Sequence, residues 1–245
     1  MIDIKVVIPA AGKGSRSGLA IPKSLQKVGG IPIIIRICEQ VKKYDENPIV
    51  IINPIDEAIF RSTFSEYNIK PIFCYQHEAL GMGHALLQIK EDVSNVKDIL
   101  LIWSDIPLIQ KRTIDDLINC HLVNKNTFSL ASFIGENPYT IVDRDTNGNV
   151  IAVLETHKSS NGVEKYGERD TGLFIFNAAE ILYLLELQFL DFDVSLKIEF
   201  GFLSLIKSLV ENKHKVQAYP ISDRKDILSF NTPEDLQKIL EQLSN

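Results

Sequence analysis

The sequence predicts an α/β fold, in which a mostly parallel mixed sheet of the Rossmann-like kind is flanked by helices. Short apolar runs alternate with amphipathic stretches over the first half of the chain, a pattern typical of strand–helix repeats. At 245 residues, the chain is long enough for one large domain with a full core. No linker, repeat or low-complexity segment interrupts it, so we expect a single domain over residues 1–245.

The first half of the chain, residues 1–127, predicts strands and helices in alternation. Apolar runs predict strands at 5–8, 49–52, 72–75 and 99–103. Helical periodicity predicts helices at 33–43, 55–64, 83–90 and 113–123. Such strands are expected to run parallel, and ligands of parallel sheets bind beyond the carboxyl ends of the strands.

The second half, residues 128–245, has a different pattern. Strands are expected at 128–134, 139–142, 150–154, 173–176 and 216–219, with a turn at 147–149 and helices at 179–187 and 200–211. The last helix is expected to begin at Thr232, with proline at its first position and acids in its first turn. We expect this half to cover the sheet edge and to supply a second pocket.

Composition and charge exclude several classes of function. The hydrophobic fraction of 45% is normal for a globular chain, and the net charge of −6 argues against non-specific nucleic-acid binding. No signal peptide and no membrane span is predicted. Cys38, Cys74 and Cys120 lack C-x-x-C spacing and are expected to be reduced and buried. We therefore expect a cytoplasmic protein.

The loop after the first strand is the most informative segment. It is rich in small residues, namely Ala10, Ala11, Gly12, Gly14 and Ser15. Three cations lie in it or just after it: Lys13, Arg16 and Lys23. Exposed backbone N–H groups beside fixed cations form a phosphate site, which indicates a polyphosphate ligand, most simply a nucleotide. The spacing fits neither a Walker loop nor a dinucleotide fingerprint. An ordinary strand-to-helix turn is the alternative.

A second motif, Q-H-E-A-L-G-M-G-H-A, follows the third predicted strand. Gln76 carries both donors and an acceptor, so it can pair with the edge of a base. Gly81 and Gly83 would let the backbone approach a flat ligand, although they also suit a plain helix start. His84 is expected to be structural.

A third motif, W-S-D-I-P-L, ends the fourth predicted strand. Asp105 is therefore expected at the ligand edge of the sheet, where a carboxylate close to phosphates suits Mg²⁺. The alternative is that Asp105 caps a turn or helix, since Pro107 also indicates a turn.

These residues resemble the sugar-phosphate nucleotidylyltransferases, most closely the uridylyltransferase domain of the bacterial bifunctional enzyme that makes UDP-N-acetylglucosamine. The family patterns A-A-G-x-G-[ST]-R-x₆-P-K, Q-x₃-L-G-x-G-H-A and D-[VI]-P-L begin here at Ala10, Gln76 and Asp105. Thr171-Gly172-Leu173 and Ser229-Phe230-Asn231 are similar to two later family motifs. The similarity extends over residues 6–240.

The resemblance implies the fold of nucleotide-diphospho-sugar transferases and a Mg²⁺-dependent transfer from a nucleoside triphosphate, UTP being favoured, to a sugar 1-phosphate. It implies catalytic roles for Arg16, Lys23 and Asp105, and Mg²⁺ ligation by Asp105 and Asn231. The nucleotide would contact Ala10, Ala11, Gly12, Lys13, Gly14, Gln76 and Gly81. The sugar phosphate would contact Met82, Trp103, Glu155 and Asp170. Residues 1–127 would then be the nucleotide-binding half and residues 128–245 the sugar-phosphate half.

The chain departs from the family pattern mainly in the sugar half. Trp103 replaces a tyrosine, Met82 a threonine and Asp170 an asparagine, so we expect a sugar other than N-acetylglucosamine. Two alternatives stay open: a cytidylyl- or guanylyltransferase that acts on another phosphate, and a regulatory subunit that binds nucleotide sugars without turnover. The sequence does not indicate an oligomeric state.

Overall fold

The computed structural model describes residues 3–12, 21–136, 138–155, 166–196, 198–221 and 223–243. Within these ranges the strands are β1 (Ile4–Pro9), β2 (Lys27–Val28), β3 (Ile31–Pro32), β4 (Ile49–Ile52), β5 (Ile72–Tyr75), β6 (Asp98–Ile102), β7 (Phe128–Glu136), β8 (Thr140–Arg144), β9 (Val150–Glu155), β10 (Tyr166–Asn177) and β11 (Val216–Pro220). The helices are α1 (Ile33–Val41), α2 (Glu57–Glu66), α3 (Met82–Leu87), α4 (Lys111–Asn124), α5 (Ala178–Leu190), α6 (Leu205–Glu211) and α7 (Pro233–Leu243).

In the described ranges, seven strands form the central sheet, in the order β11-β7-β10-β6-β1-β4-β5. β1 runs parallel to β4 and β6, β4 parallel to β5, and β11 parallel to β7. β10 runs antiparallel to both of its neighbours, β6 and β7. The sheet is therefore mixed and mostly parallel, which confirms the predicted fold class.

The central strands are buried on both faces. Val6 and Ile8 of β1 join an apolar layer formed with α1, α2, α4 and α7, whereas Val7 joins a second layer formed with α3, α5 and α6. Continuous apolar strands of this kind are typical of parallel sheets covered by helices. Among the described helices, none is long and apolar enough to cross a membrane.

Most predicted elements lie where the sequence placed them. β4 and β5 have the predicted bounds, and Gly148, at φ +83°, forms the predicted turn between β8 and β9. The helix predicted over 200–211 is wrong in its first part, because it begins only at Leu205. The Phe200 N–H donates to Leu80 O (2.6 Å), and the Gly83 N–H donates to Phe200 O (3.0 Å). These bonds to α3 and the residues before it hold Phe200 outside a helix.

The prediction for the cysteines is partly wrong. Cys38 and Cys74 are reduced and buried, whereas Cys120 on α4 is reduced and half-buried. Burial raises the pKa of Cys38 to about 12 and that of Cys74 to about 11, so both remain protonated thiols at neutral pH.

Candidate active site at the carboxyl edge of the sheet

The first loop begins at the end of β1, and its first residue is still bonded to β4. The Ala10 N–H donates to Ile51 O at 2.7 Å, which extends the β1–β4 pairing by one residue. Ala10 and Ala11 are buried, whereas Gly12 is exposed and a Cβ there would meet no described atom within 4 Å. Within the described part of the chain, a side chain at position 12 would therefore meet no neighbour. Lys13, Gly14 and Arg16 lie outside the described residues, so their roles stay predictions.

Lys23, Asp105 and Asn231 meet beside this loop. Lys23 Nζ lies 2.6 Å from Asn231 Oδ1 and 3.8 Å from Asp105 Oδ2. The side chains of Lys23 and Asp105 are 22% and 23% exposed, so a ligand can reach them. Three segments that are far apart in the chain therefore bring one cation and two kinds of oxygen ligand together.

Asn231 is held by the start of α7. The backbone N–H groups of Asn231 and Thr232 donate to Asp235 Oδ2 at 3.0 and 2.8 Å, and the Asp235 N–H donates to Thr232 Oγ1 at 3.3 Å. This reciprocal arrangement is a capping box. Asn231 Nδ2 donates to Ser229 Oγ (3.0 Å), which directs its Oδ1 towards Lys23. The sequence predicted the cap at Thr232 but not the role of Asp235 in fixing Asn231.

One carboxylate oxygen of Asp105 lacks a hydrogen-bond partner in the described part of the chain. Its Oδ1 is buried and has no hydrogen-bond donor among the described residues. Burial raises the pKa of this carboxyl, the Lys23 ammonium opposes the rise, and the charges of Asp170 and Asp235 add to it. A buried carboxylate oxygen without a donor is costly unless a cation approaches it.

The donor set at this point fits a divalent metal shared with phosphates. Asp105 and Asn231 supply hard oxygen ligands, and Mg²⁺ commonly takes only one or two protein oxygens, completing its octahedron with phosphate oxygens and water. Among the described residues, no group of three or more His, Cys, Asp or Glu side chains could hold a metal. The residues present therefore suit a metal that is held jointly by the protein and a nucleotide.

Gln76 follows β5 at the same edge of the sheet. Its backbone N–H donates to Ile52 O at 2.9 Å, and its side chain is almost completely buried. Gln76 Nε2 donates to the Gly81 carbonyl at 3.0 Å and lies 3.2 Å from His84 Nδ1. The second motif is thus one hydrogen-bonded unit that spans the end of β5 and the start of α3.

Glycine is required at positions 81 and 83 for a different reason from the one that the sequence suggested. A Cβ at Gly81, where φ is +110°, would lie 2.5 Å from Phe200 O, and a Cβ at Gly83 would lie 2.6 Å from the Phe200 ring. The side of both glycines that lacks a Cβ is filled by Phe200 rather than by open space for a flat ligand. Sequence reasoning missed Phe200, because no local signal relates it to residues 81–83.

Asp170, one of the predicted sugar-phosphate residues, lies close enough to Asp105 for the two carboxyl groups to interact. Asp170 is buried and accepts hydrogen bonds from Thr140 Oγ1 (2.5 Å) and from the Gly172 N–H (3.0 Å). Burial raises the pKa of Asp170, Thr140 and Gly172 oppose the rise, and Glu155 adds to it. Sequence reasoning missed Thr140, which holds this carboxylate in place.

Trp103 lies against the irregular part of β10. The Trp103 N–H donates to Gly172 O at 2.9 Å, and a Cβ at Gly172 would lie 3.0 Å from the indole ring. The indole Nε1–H is buried and has no acceptor among the described residues. Met82, which opens α3, is half-buried against the second apolar layer. Trp103 directly follows β6, and β10 pairs with β6 up to Leu173 opposite Ile102, so Trp103 and Asp170 lie at the same end of the sheet.

Residues 6–170 match the family described as the MobA-like NTP transferase domain. The chain belongs to this family. Bifunctional protein GlmU of Syntrophomonas wolfei is 30% identical over 182 residues, which cover 74% of this chain and 40% of that protein. Bifunctional protein GlmU of Clostridioides difficile is 28% identical over 243 residues, which cover 98% and 51%. The chain spans about half the length of these relatives.

Solved structures show the same fold. A Bacillus anthracis protein described provisionally as a glucose-1-phosphate thymidylyltransferase superposes with a TM-score of 0.76 at 17% identity, over 98% of this chain and 94% of that one. HddC from Yersinia pseudotuberculosis gives a TM-score of 0.73 at 19% identity, over 98% and 99%. At these identities the likeness concerns the fold alone. Together with the GlmU relatives, it confirms the resemblance found in the sequence.

Proposed function

We propose that this chain transfers a nucleotidyl group, uridylyl by preference, from a nucleoside triphosphate to a sugar 1-phosphate and releases pyrophosphate. The observation that carries the proposal is the convergence of Lys23, Asp105 and Asn231 at the sheet edge where β1, the strand that leads into the first loop, lies beside β6. An orphaned buried carboxylate oxygen, an amide oxygen and a lysine are what a metal-bound triphosphate requires.

Transfer at this site depends on positioning and on charge neutralisation. Asp105 and Asn231 would hold Mg²⁺, which supplies neutralisation of phosphate charge when it is bound. The Lys23 ammonium, on a flexible stem, would turn from Asn231 to the phosphates as a point charge. An oxygen of the acceptor phosphate forms a bond to the α-phosphorus, the bond from that phosphorus to the β-bridging oxygen breaks, and pyrophosphate leaves with the electron pair. The acceptor oxygen is already anionic, so no general base is needed.

We further propose a division of labour between residues 1–127 and 128–245. The first half contributes the phosphate loop and Gln76, whereas Glu155 and Asp170 of the second half, with Met82 and Trp103, face the acceptor. Asp170 is already bound to Thr140 and Gly172, so it presents a fixed acceptor group to a sugar hydroxyl. Since Met82, Trp103 and Asp170 differ from the family pattern, the acceptor would differ from N-acetylglucosamine 1-phosphate.

The proposal is tested by a screen for pyrophosphate release with purified protein, four nucleoside triphosphates and a panel of sugar and polyol phosphates, with Mg²⁺ or with a chelator. We expect release with UTP and at least one sugar 1-phosphate, and its loss in Asp105→Asn. Asp116→Asn, on the exposed side of α4, is the matched control. Release only with CTP or GTP would replace the uridylyl assignment. Nucleotide binding without release from any pair would support a non-catalytic role.

A further inference from the structure

The two segments that carry Asp105 and Asn231 are joined to each other at both ends. One segment follows β6 and extends from Asp105 to Gln110, and the other extends from Asp226 to Asn231 and leads into α7. The Phe230 N–H donates to Asp105 O at 2.7 Å, and the Gln110 N–H donates to Asp226 Oδ1 at 2.6 Å. The segments therefore run in opposite directions, with Asp105 and Asn231 at one shared end and Asp226 closing the other.

The carboxylate of Asp226 completes the start of α4 from a remote part of the chain. Asp226 is completely buried, and its second oxygen, Oδ2, accepts from Thr113 Oγ1 at 2.5 Å. Gln110 precedes the first residue of α4, and its own side chain makes no cap. In a capping box, an acidic residue at the third helical position would accept the Gln110 N–H. Thr113 holds that position, and Asp226 takes its part from 116 positions away.

The position of the Asp105 carboxylate depends on the backbone that carries it. Its Oδ1 has no donor among the described residues, and its Oδ2 lies 3.8 Å from Lys23 Nζ. Residues 103–110 form neither helix nor strand, so no regular series of backbone hydrogen bonds holds them. The buried side chains of Ile106 and Leu108 anchor this segment to the core. The bonds at Asp105 O and at the Gln110 N–H hold it against the segment that carries Asn231.

From this arrangement we propose that Asp226 is a positioning residue that sets the separation of Asp105 and Asn231 for a shared Mg²⁺. The inference rests on the proposed function, because it assumes that these two residues hold the metal. Mg²⁺ requires near-ideal octahedral geometry, so a shift of one ligand relative to the other weakens its binding. Asp226 is buried and acts only through the two segments that it joins.

The role is tested first by the Mg²⁺ dependence of pyrophosphate release. In Asp226→Ala, the Mg²⁺ concentration at half-maximal rate should rise about tenfold, which is the effect of losing a group that orients a metal ligand. Asp226→Asn should keep the wild-type value, because its Oδ1 can accept from Gln110 and its Nδ2 can donate to Thr113. An unchanged Mg²⁺ response in Asp226→Ala, or no rescue in Asp226→Asn, would overturn the inference.

Asp98→Ala is the matched control for a general loss of stability. Asp98 is a buried carboxylate at the first residue of β6, 3.4 Å from His121 Nε2, and so lies at the opposite end of the strand that leads to Asp105. Its replacement also leaves a buried partner without a carboxylate, and urea unfolding measures the stability that each variant loses. Asp98→Ala should leave the Mg²⁺ response unchanged. A rise equal to that in Asp226→Ala would mean that both variants act through the whole fold.

A second measurement uses the free protein, without metal or nucleotide. The Phe230 amide proton is bonded to Asp105 O and exchanges with solvent when the two segments part. Its exchange should be several-fold faster in Asp226→Ala than in Asp98→Ala, after allowance for the stability of each variant. Equal rates would overturn the inference. Thr113→Val removes one of the two bonds to Asp226 and should give a smaller change in the same direction, which keeps the test decisive if Asp226→Ala does not fold.

The two measurements separate this inference from the proposed function. If Asp226→Ala changed the Phe230 exchange but not the Mg²⁺ response, the positioning role would be wrong while nucleotidyl transfer stood. If the wild type released no pyrophosphate from any substrate pair, the proposed function would fail and the role towards the metal with it. The exchange rates would then still report whether Asp226 holds the two segments together.

Discussion

Asn231 Oδ1 accepts a hydrogen bond from Lys23 Nζ at 2.6 Å, across a separation of 208 positions in the chain. The bond joins the segment after the first loop to the segment that starts α7. Asp105 contacts both segments, because the Phe230 N–H donates to Asp105 O at 2.7 Å and Lys23 Nζ lies 3.8 Å from Asp105 Oδ2. Parts of the chain that are remote in sequence are thus held at one edge of the sheet, at the point where charge would be needed.

Lys23 should matter far more for turnover than for folding. Replacing Lys23 with Ala should lower kcat/KM by about 10²–10³-fold, because a fixed charge next to the developing charge is lost. The free energy of unfolding should change by less than about 1 kcal/mol, since the ion pair with Asp105 is partly exposed to water. Steady-state kinetics and urea unfolding measure the two effects. Lys27→Ala, an exposed lysine four positions later, is the control and should leave both unchanged.

Replacing Asp105 with Asn should lower the activity without lowering the stability of the fold. Asp105→Asn removes a charge whose Oδ1 is buried with no donor among the described residues and that faces the charges of Asp170 and Asp235, so the variant should be as stable as the wild type or more stable. Turnover should fall, and the Mg²⁺ concentration at half-maximal rate should rise, because a charged ligand is lost. Thermal unfolding and Mg²⁺ titrations of rate provide the test. An unchanged Mg²⁺ response would mean that other groups hold the metal.

Gly83 should be required for packing. A Cβ at Gly83 would lie 2.6 Å and 2.7 Å from two Phe200 ring atoms, and the ring cannot retreat because Phe189 and Phe192 pack against it. Gly83→Ala should therefore destabilise the fold by about 1–3 kcal/mol. In the Phe200→Ala background the same substitution should cost much less, which a double-mutant cycle of unfolding free energies measures. Equal costs in the two backgrounds would contradict the packing role.

Some of these features could be predicted from the sequence, and others could not. β4 could be predicted because a parallel strand inside the sheet is a continuous apolar run, and β5, at the edge of the sheet, because it is a short apolar run between Pro71 and Gln76. Asp105 could be placed at the ligand edge because it comes shortly after the apolar run that forms β6. Phe200 could not be connected with Gly83, because a contact between remote segments leaves no local pattern. The sequence therefore indicated that glycines were needed at positions 81 and 83 but not why.

Trp103 should report acceptor binding by fluorescence. It is the single tryptophan of the chain, and its buried indole N–H has no acceptor among the described residues. A sugar phosphate bound beside Asp170 should change the polarity around the indole ring and shift its emission, and the shift should be half-maximal at the dissociation constant of that sugar phosphate. Trp103→Phe removes the signal and is the control. Emission that stays constant while turnover saturates would place the acceptor away from Trp103.

Asp226 should make stability depend on pH in the direction opposite to that of an ordinary ion pair. Its buried carboxylate accepts from the Gln110 N–H (2.6 Å) and from Thr113 Oγ1 (2.5 Å). Burial raises its pKa, these two donors oppose the rise, and Asp223 adds to it, so that the folded pKa lies above the ordinary value.

Because the folded state holds the Asp226 proton more tightly than the unfolded state, stability falls as the pH rises from about 4, the ordinary aspartate value, through the folded pKa. Asp226→Asn lacks this titration because an amide does not ionise, and its side chain can still accept from Gln110 and donate to Thr113. The free energy of unfolding of the variant, relative to that of the wild type, should therefore grow across that window, as measured by urea unfolding at a series of pH values. Thr113→Val removes a donor to the charged form and should steepen the wild-type decline. If the curves of the wild type and Asp226→Asn stayed parallel, the proton would not be held at Asp226.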